Sequence, residues 1–281
     1  MNINTAHPLP GWAVQNLFNM RKNKYKILTA VCTVACLLSG MLLFFLLGNE
    51  YMRGKEMEHL VQQHSENLPE PVTTTDDRQL LESEPVILPE LETLYLQNPD
   101  LAGWLSLPAA EIDFPVVYDR EDTPEYYLHR DFNGKYSFSG IPFIGIGANT
   151  DSDCLIIYGH NMADDSMFGQ LENYCDEQFF NENPVFSFSS LYERSEYRIF
   201  AAAYCRILSD GEEGFRYNAN VGILTESEYV ELLDFLSQNA IQQSAQLPEY
   251  GQQIVILSTC DSRSYDGRFI VAGYLVEREE S

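Results

Sequence analysis

From Ile27 to Leu47 the chain runs for 21 residues without a single charged side chain. At about 1.5 Å rise per residue, a helix of that length just crosses a hydrocarbon core of roughly 30 Å. A cleavable leader is the rival reading, but its apolar region runs only about 7 to 15 residues and closes on a small-residue cleavage site. Here the run is longer and ends in Phe44-Phe45-Leu46-Leu47. The segment is therefore read as a signal anchor, and whatever folds after it folds beside a membrane.

Charge on either side gives the anchor a direction. Arg21, Lys22, Lys24 and Lys26 precede it with no acidic residue before them, whereas Glu50, Glu56 and Glu58 dilute Arg53 and Lys55 after it. The positive-inside rule puts residues 1–26 in the cytoplasm and everything after Leu47 outside the cell. The first 26 residues hold +4 of the formal −25, so the remainder carries −29. A domain so acidic repels nucleic acid, and the charge by itself identifies no partner.

Residues 48–88 are rich in Glu, Gln, Thr and Pro, with Pro69, Pro71 and Pro85 interrupting any long helix. They read as an extracellular stalk with helical character near Glu56 to His64. From Pro89 the pattern turns globular, and 89–281 is taken as one domain. Cys32 and Cys36 fall in the span, and the other four cysteines lack zinc-like spacing. A domain of this size has no need of disulfides, so Cys154 and Cys205 are read as small buried apolar residues.

Short strand patterns dominate the domain: Gly103 to Leu107, Ile112 to Tyr118, Ile141 to Ile146, Cys154 to Tyr158, Val185 to Phe188, Tyr197 to Ile207, Ile254 to Cys260 and Phe269 to Tyr274. Eight strands suffice to close a small barrel, so the fold class is mainly β. Leu91, Leu94 and Tyr95 mark a helix before them, and Met167, Phe168, Leu171 and Tyr174 mark a helical insertion. A second insertion opens on Thr225-Glu226-Ser227-Glu228, a capping box, and continues with Tyr229, Leu232, Leu233, Leu236 and Ala240 at helical spacing.

Two of these strands carry chemistry. Cys260 ends one, and Arg268 heads the next after a polar loop. Adjacent strands so connected bring a thiol and a guanidinium to one rim, where the cation lowers the thiol pKa and offers donors to an oxyanion. His160, leaving the buried strand that ends in Tyr158-Gly159, supplies a base. Its competitor is His129; His7 is cytoplasmic, and His59 and His64 lie in the stalk. On residue patterns alone a bland reading stands beside this one. In it Cys260 is a strand-end core thiol, His160 a turn residue and Arg268 a solvated edge charge.

Several motifs, in order over roughly residues 90–276, resemble those of class B sortases. They are Ile256-Leu257-Ser258-Thr259-Cys260, Tyr158-Gly159-His160-Asn161-Met162 and Arg268-Phe269-Ile270-Val271, with Asn98-Pro99-Asp100, Ile112-Asp113-Phe114-Pro115-Val116-Val117, and Tyr127-Leu128-His129-Arg130-Asp131-Phe132. The resemblance implies a closed eight-stranded sortase barrel with N-terminal helices and a long helix inserted before the cysteine strand. It also implies a transpeptidase in which Cys260 attacks the carbonyl after Thr in a C-terminal sorting signal, NPQTN-like or LPXTG-like, of a secreted protein. His160 is then the general acid, Arg268 the oxyanion and backbone ligand, and a lipid-linked peptidoglycan precursor amine the acceptor. Tyr158, Ser258 and Asp261 fall on substrate-groove positions of the family, and so does His129, which stands near the groove where relatives often have Asn. Each of these also has an ordinary structural reading. No cofactor is implied. Asn149, Asp151, Asp153, Asp164 and Asp165 bracket the His160 motif without calcium-loop spacing, so no metal is expected. A pilin-polymerising sortase is the nearest alternative, disfavoured by the absence of a lid segment and second span; a catalytically idle tethered binding module is another.

Overall fold

A computed structural model describes residues 11–68, 86–209, 211–260 and 267–280. The chain divides into two compact units, Met1–Gly54 and Lys55–Ser281. Helix α1, Gly11–Glu66, provides the described part of the first unit. Its apolar side chains, among them Leu37, Phe44 and Phe45, are exposed, as lipid-facing residues are.

The second unit begins with the last turns of α1, where the sequence suggests a stalk. Leu60 is 2% exposed and joins a core with Leu88, Leu91, Leu94 and Trp104. His64 stacks flat on Trp104 at 4.0 Å between ring centroids. Residues 55–66 thus belong to the same compact body as the strands. Met57, Leu60, Val61 and His64 share one helical face, but a mostly polar sequence around them conceals it. Residues 69–85, including the prolines expected to break the stalk, lie outside the described residues.

Helix α2, Pro89–Gln97, precedes strands β1 (Leu101–Leu107), β2 (Ile112–Tyr118), β3 (Phe143–Ile144) and β4 (Cys154–Tyr158). A 3-10 turn at Gly169–Cys175 and helix α3 (Glu177–Glu182) lead to β5 (Val185–Ser190) and β6 (Glu193–Arg206). Helix α4 (Glu226–Asn239), β7 (Ala240–Gln243), β8 (Ile254–Cys260) and β9 (Gly267–Glu280) complete the chain. The sheet order is β5-β1-β2-β3-β4-β8-β9-β6-β7, and a further β5–β6 pairing closes the first eight into a barrel with β7 attached outside. The expected eight-stranded barrel is therefore present.

Differences from the sequence reading have local causes. The first insertion is a 3-10 turn because Phe168, Leu171 and Tyr174 recur every third residue and are all fully buried. Strand β7 is a four-residue edge piece with two glutamines, too short and polar to betray itself. Strands β6 and β9 extend past their apolar parts because Glu193–Glu196 pair with Glu277–Glu280 in the ladder. The capping box at Thr225 is formed, with reciprocal bonds to Glu228.

Burial on both faces explains the unbroken apolar run of β8. Val255 and Leu257 point into the barrel, while Ile254 and Ile256 pack with Tyr229, Leu232 and Leu236 of α4. Alternation along the strand places both sets in core, so no polar phase appears. Cys154 and Cys205 are buried and unbridged, and burial pushes each thiol up to about 12. Neither supplies a thiolate at neutral pH.

Candidate active site

Three neighbouring strands deliver the expected residues to one rim. Strands β4 and β8 run parallel, with Cys154 paired to Ile254 and Tyr158 to Ser258. The Gly159 amide donates to the Ser258 carbonyl at 3.1 Å. His160 and Cys260 each follow that last pair by two residues, so the register carries both to the same edge. Strand β9 returns antiparallel to β8, and its register ends with Cys260 opposite Arg268. The order β4-β8-β9 therefore brings His160, Cys260 and Arg268 to neighbouring strand ends.

The backbone around His160 is tightly specified. A Cβ added at Gly159 would lie 2.6 Å from the ring of Phe168, which is fully buried. The Phe168 amide donates back to the His160 carbonyl at 2.9 Å, closing the loop after β4. Glycine at 159 thus permits the close approach that directs the chain past the barrel edge.

His160 Nε2 lies 2.7 Å from the Leu128 carbonyl oxygen. A carbonyl only accepts, so this contact puts a proton on Nε2 and leaves Nδ1 to exchange one. The ring is half-buried, and desolvation lowers its pKa below the ordinary histidine range; the Leu128 carbonyl opposes that shift and nearby His129 adds to it. The two imidazoles stack with centroids 5.3 Å apart and planes 28° apart. His129 itself is exposed, with Nδ1 3.4 Å from the Phe138 carbonyl oxygen.

A cavity of about 420 Å³ opens at this rim, lined by Tyr158, His160, Asn218, Ser258, Thr259 and Arg268 among others. Gly145 leaves room for the Tyr158 ring, which a Cβ there would meet at 2.6 Å. Burial raises the Tyr158 hydroxyl well above the ordinary tyrosine range, with the Arg268 charge pulling the other way. Tyr158 is therefore a neutral donor and acceptor at the groove wall. Ser258 is 1% exposed and its hydroxyl lies 3.3 Å from that of Tyr217, so it also serves the packing beneath the groove. Arg268 Nη1 donates to the Gly267 carbonyl at 2.8 Å, which fixes one edge of the guanidinium. Asp261 lies outside the described residues.

Sequence reasoning missed the Leu128 carbonyl, which as a backbone group leaves no side-chain signal. It also passed over Asn218 and Thr259. Asn218 Oδ1 and Thr259 Oγ1 are buried without a hydrogen-bond partner among the described residues. Thr259 stood beside Cys260 in the motif, whereas nothing marked Asn218, which sits in the 3-10 turn Tyr217–Ala219. A larger cavity of about 500 Å³ is lined by His64, Glu90, Trp104 and Arg194, and none of the expected site residues reaches it.

The rim combines a thiol-bearing residue, an imidazole and a guanidinium. Such a set can attack a carbonyl, protonate a leaving amine and hold the oxyanion between the two steps.

No protein-family model matches the chain. It is 32% identical over 200 residues to sortase B of Listeria monocytogenes, covering 67% of this chain and 75% of that protein. The X-ray structure of sortase B from Clostridium perfringens superposes with a TM-score of 0.56 at 26% identity, covering 66% of this chain and 99% of that one. A Staphylococcus aureus sortase B-substrate complex shares the fold with a TM-score of 0.64 at 21% identity, covering 82% and 98% of the two chains.

Proposed function

The chain belongs to the class B sortases, and on that premise we propose that it is a membrane-anchored enzyme that transfers secreted proteins onto a cell-wall precursor. The observation that carries this reading is the register across β4-β8-β9, which sets His160, Cys260 and Arg268 on one rim. As a sortase the protein is a cysteine transpeptidase. The proposal concerns its residues, reactants and placement.

In the proposed first step the Cys260 thiolate attacks the carbonyl carbon of the Thr in a sorting signal, at the bond to the next residue. Arg268 donates to the resulting oxyanion, a planar fork of hydrogen bonds suiting it better than a point charge. The tetrahedral adduct collapses as the C–N bond breaks, and the His160 imidazolium gives its Nδ1 proton to the departing amine. This leaves a thioester on Cys260 and a neutral His160. A precursor amine then attacks the thioester, His160 takes the proton it releases, and the thiolate leaves. Water in place of the amine gives hydrolysis.

The depressed pKa of His160 means that the imidazolium is its minor form at neutral pH, and hence a strong acid when present. Tyr158, Ser258 and Asp261 are assigned to the walls of the peptide groove. The acyl donor is a secreted protein with a C-terminal NPQTN-like or LPXTG-like signal. The solved Staphylococcus aureus relative was captured with a substrate, which supports a peptide in the groove here.

Sortases work at the cell envelope, and the apolar part of α1 is long enough to cross a bilayer. We place residues 1–26 in the cytoplasm, 27–47 in the membrane and the domain outside. Tethering raises the effective concentration of an enzyme whose reactants are themselves membrane-bound. The decisive experiment incubates the full chain in detergent with candidate sorting peptides and weighs the product. A thioester on the wild type and none on Cys260→Ala is expected. Undiminished transfer by Cys260→Ala would overturn the assignment.

A further inference from the structure

One short turn touches His160 in two independent ways. The 3-10 turn Tyr126–His129 supplies the Leu128 carbonyl at the ring edge, 2.7 Å from Nε2, and the very next residue lays its imidazole against the ring face. An edge contact fixes one direction in the ring plane but still permits rotation about the hydrogen-bond axis. A face contact removes that rotation. We propose that His129 is a positioning residue for the transpeptidation, clamping the face of His160 so that Nδ1 is held toward the thiol and the leaving amine. This rests on the sortase reading given above and adds a residue to it.

Among the described residues, the neighbourhood leaves this role to His129. Arg130, next in sequence, turns away, donating to the Gly134 carbonyl and lying over the Tyr126 ring. Asp119 and Glu125 line the same groove, but the Asp119 carboxylate is occupied by the amides of Arg120, Glu125 and Tyr126. Tyr158 and Arg268 stand at the groove wall, and neither has a ring contact with His160. The turn itself is held by those Asp119 bonds, with Glu125 in a left-handed conformation at φ 60°. The clamp is therefore mounted on a braced support.

Because the clamp is itself an imidazole, it leaves an electrostatic signature that a purely structural side chain would not. A charge on His129 disfavours a second charge 5.3 Å away on His160, in agreement with the direction of its effect there. His129→Phe keeps a flat ring that cannot take up a proton, whereas His129→Ala removes the ring altogether.

The test uses the full chain in detergent, carrying histidines labelled with ¹³C at Cε1, with the His160 signal assigned through His160→Gln. Thioester formation is measured over pH 5.5 to 8.5 on the same variants. His129→Phe is expected to raise the titration midpoint of His160 while forming thioester at close to the wild-type rate. His129→Ala is expected to raise the midpoint too, and to slow thioester formation about tenfold at every pH because the ring is no longer oriented. An unmoved midpoint in His129→Phe, or a wild-type rate in His129→Ala, would overturn the proposal. Failure of the wild type itself to form thioester with any sorting peptide would instead count against the transpeptidase reading, while the titrations would still decide whether His129 acts on His160.

Discussion

Cys260 stands opposite Arg268 as the final register pair of the β8–β9 ladder, which begins at Ile254 and Tyr274. Opposed residues on antiparallel strands lie about 4.5 to 5.5 Å apart at Cβ, so main-chain hydrogen bonds fix the points from which the Cys260 and Arg268 side chains leave the sheet. The rim inherits the rigidity of a ladder whose preceding residues, Ile254 to Thr259, are all buried. That is a sound base for a site in which misplacement by an ångström costs orders of magnitude in rate.

Arg268→Lys keeps the charge and loses the planar fork. It is expected to lower kcat/KM about a hundredfold while shifting folding stability by no more than about 0.5 kcal/mol. Steady-state transfer kinetics beside urea denaturation checks this, and unchanged kcat/KM would show that Arg268 acts only as a point charge.

Gly159→Ala forces a Cβ against the Phe168 ring at the root of the His160 loop. Phe168 is fully buried in the barrel core and has nowhere to retreat. The expected cost is about 1–3 kcal/mol, as for other overpacked cores, together with slower thioester formation. A variant as stable and active as wild type would mean that the loop has slack.

Burial also holds the His64 pKa below its ordinary value, with Asp113 and Glu90 pulling it upward. A folded-state pKa below the unfolded one means that the unfolded chain binds the proton more readily. The stabilisation is complete above about pH 6.5 and is lost as pH falls through the lowered folded value. His64→Phe keeps a ring on Trp104 and abolishes this loss. Its thermal midpoint should therefore fall less than that of wild type between pH 7.5 and 5.5. Parallel curves would contradict the sign.

The α1 end and α2 are fastened to the barrel by separate means. Leu60 fills a core with Leu88, Leu91 and Trp104, and Leu60→Ala is expected to cost about 2–5 kcal/mol. Glu90, 1% exposed, pairs with Arg194 of β6 at 2.6 Å. Glu90→Ala strands that guanidinium, at a cost of about 2–3 kcal/mol, below the range for a fully buried pair because Arg194 is partly exposed. Denaturant midpoints read both. Removal of residues 1–54 should leave them unaltered, and a large loss would show that the first unit contributes to the fold.

Much of the architecture was legible because it is local. The two C-terminal strands and the capping box at Thr225 each follow from residues within a turn or a strand of one another. The uncharged run of residues 27–47 needed only counting. Polar stretches hid what packing alone reveals: the docked turns of α1, the edge strand β7 and the Glu-rich extensions of β6 and β9.

The sequence singled out Cys260, His160 and Arg268 and placed Cys260 beside Arg268, but it did not show His160 reaching the same rim. His160 and Cys260 are a hundred positions apart, and their shared rim depends on the parallel β4–β8 pairing, across a crossover that contains two helices and three strands. Neither strand carries a mark of its partner, because both faces are buried and any apolar neighbour would satisfy them. The Leu128 carbonyl and the His129 stack are likewise products of tertiary folding, since they act through a backbone atom and a ring face. Composition and periodicity determine which segments become strands, helices and span; only closure of the barrel decides which strand ends become neighbours, and with that where a proton, a thiol and a guanidinium can act together.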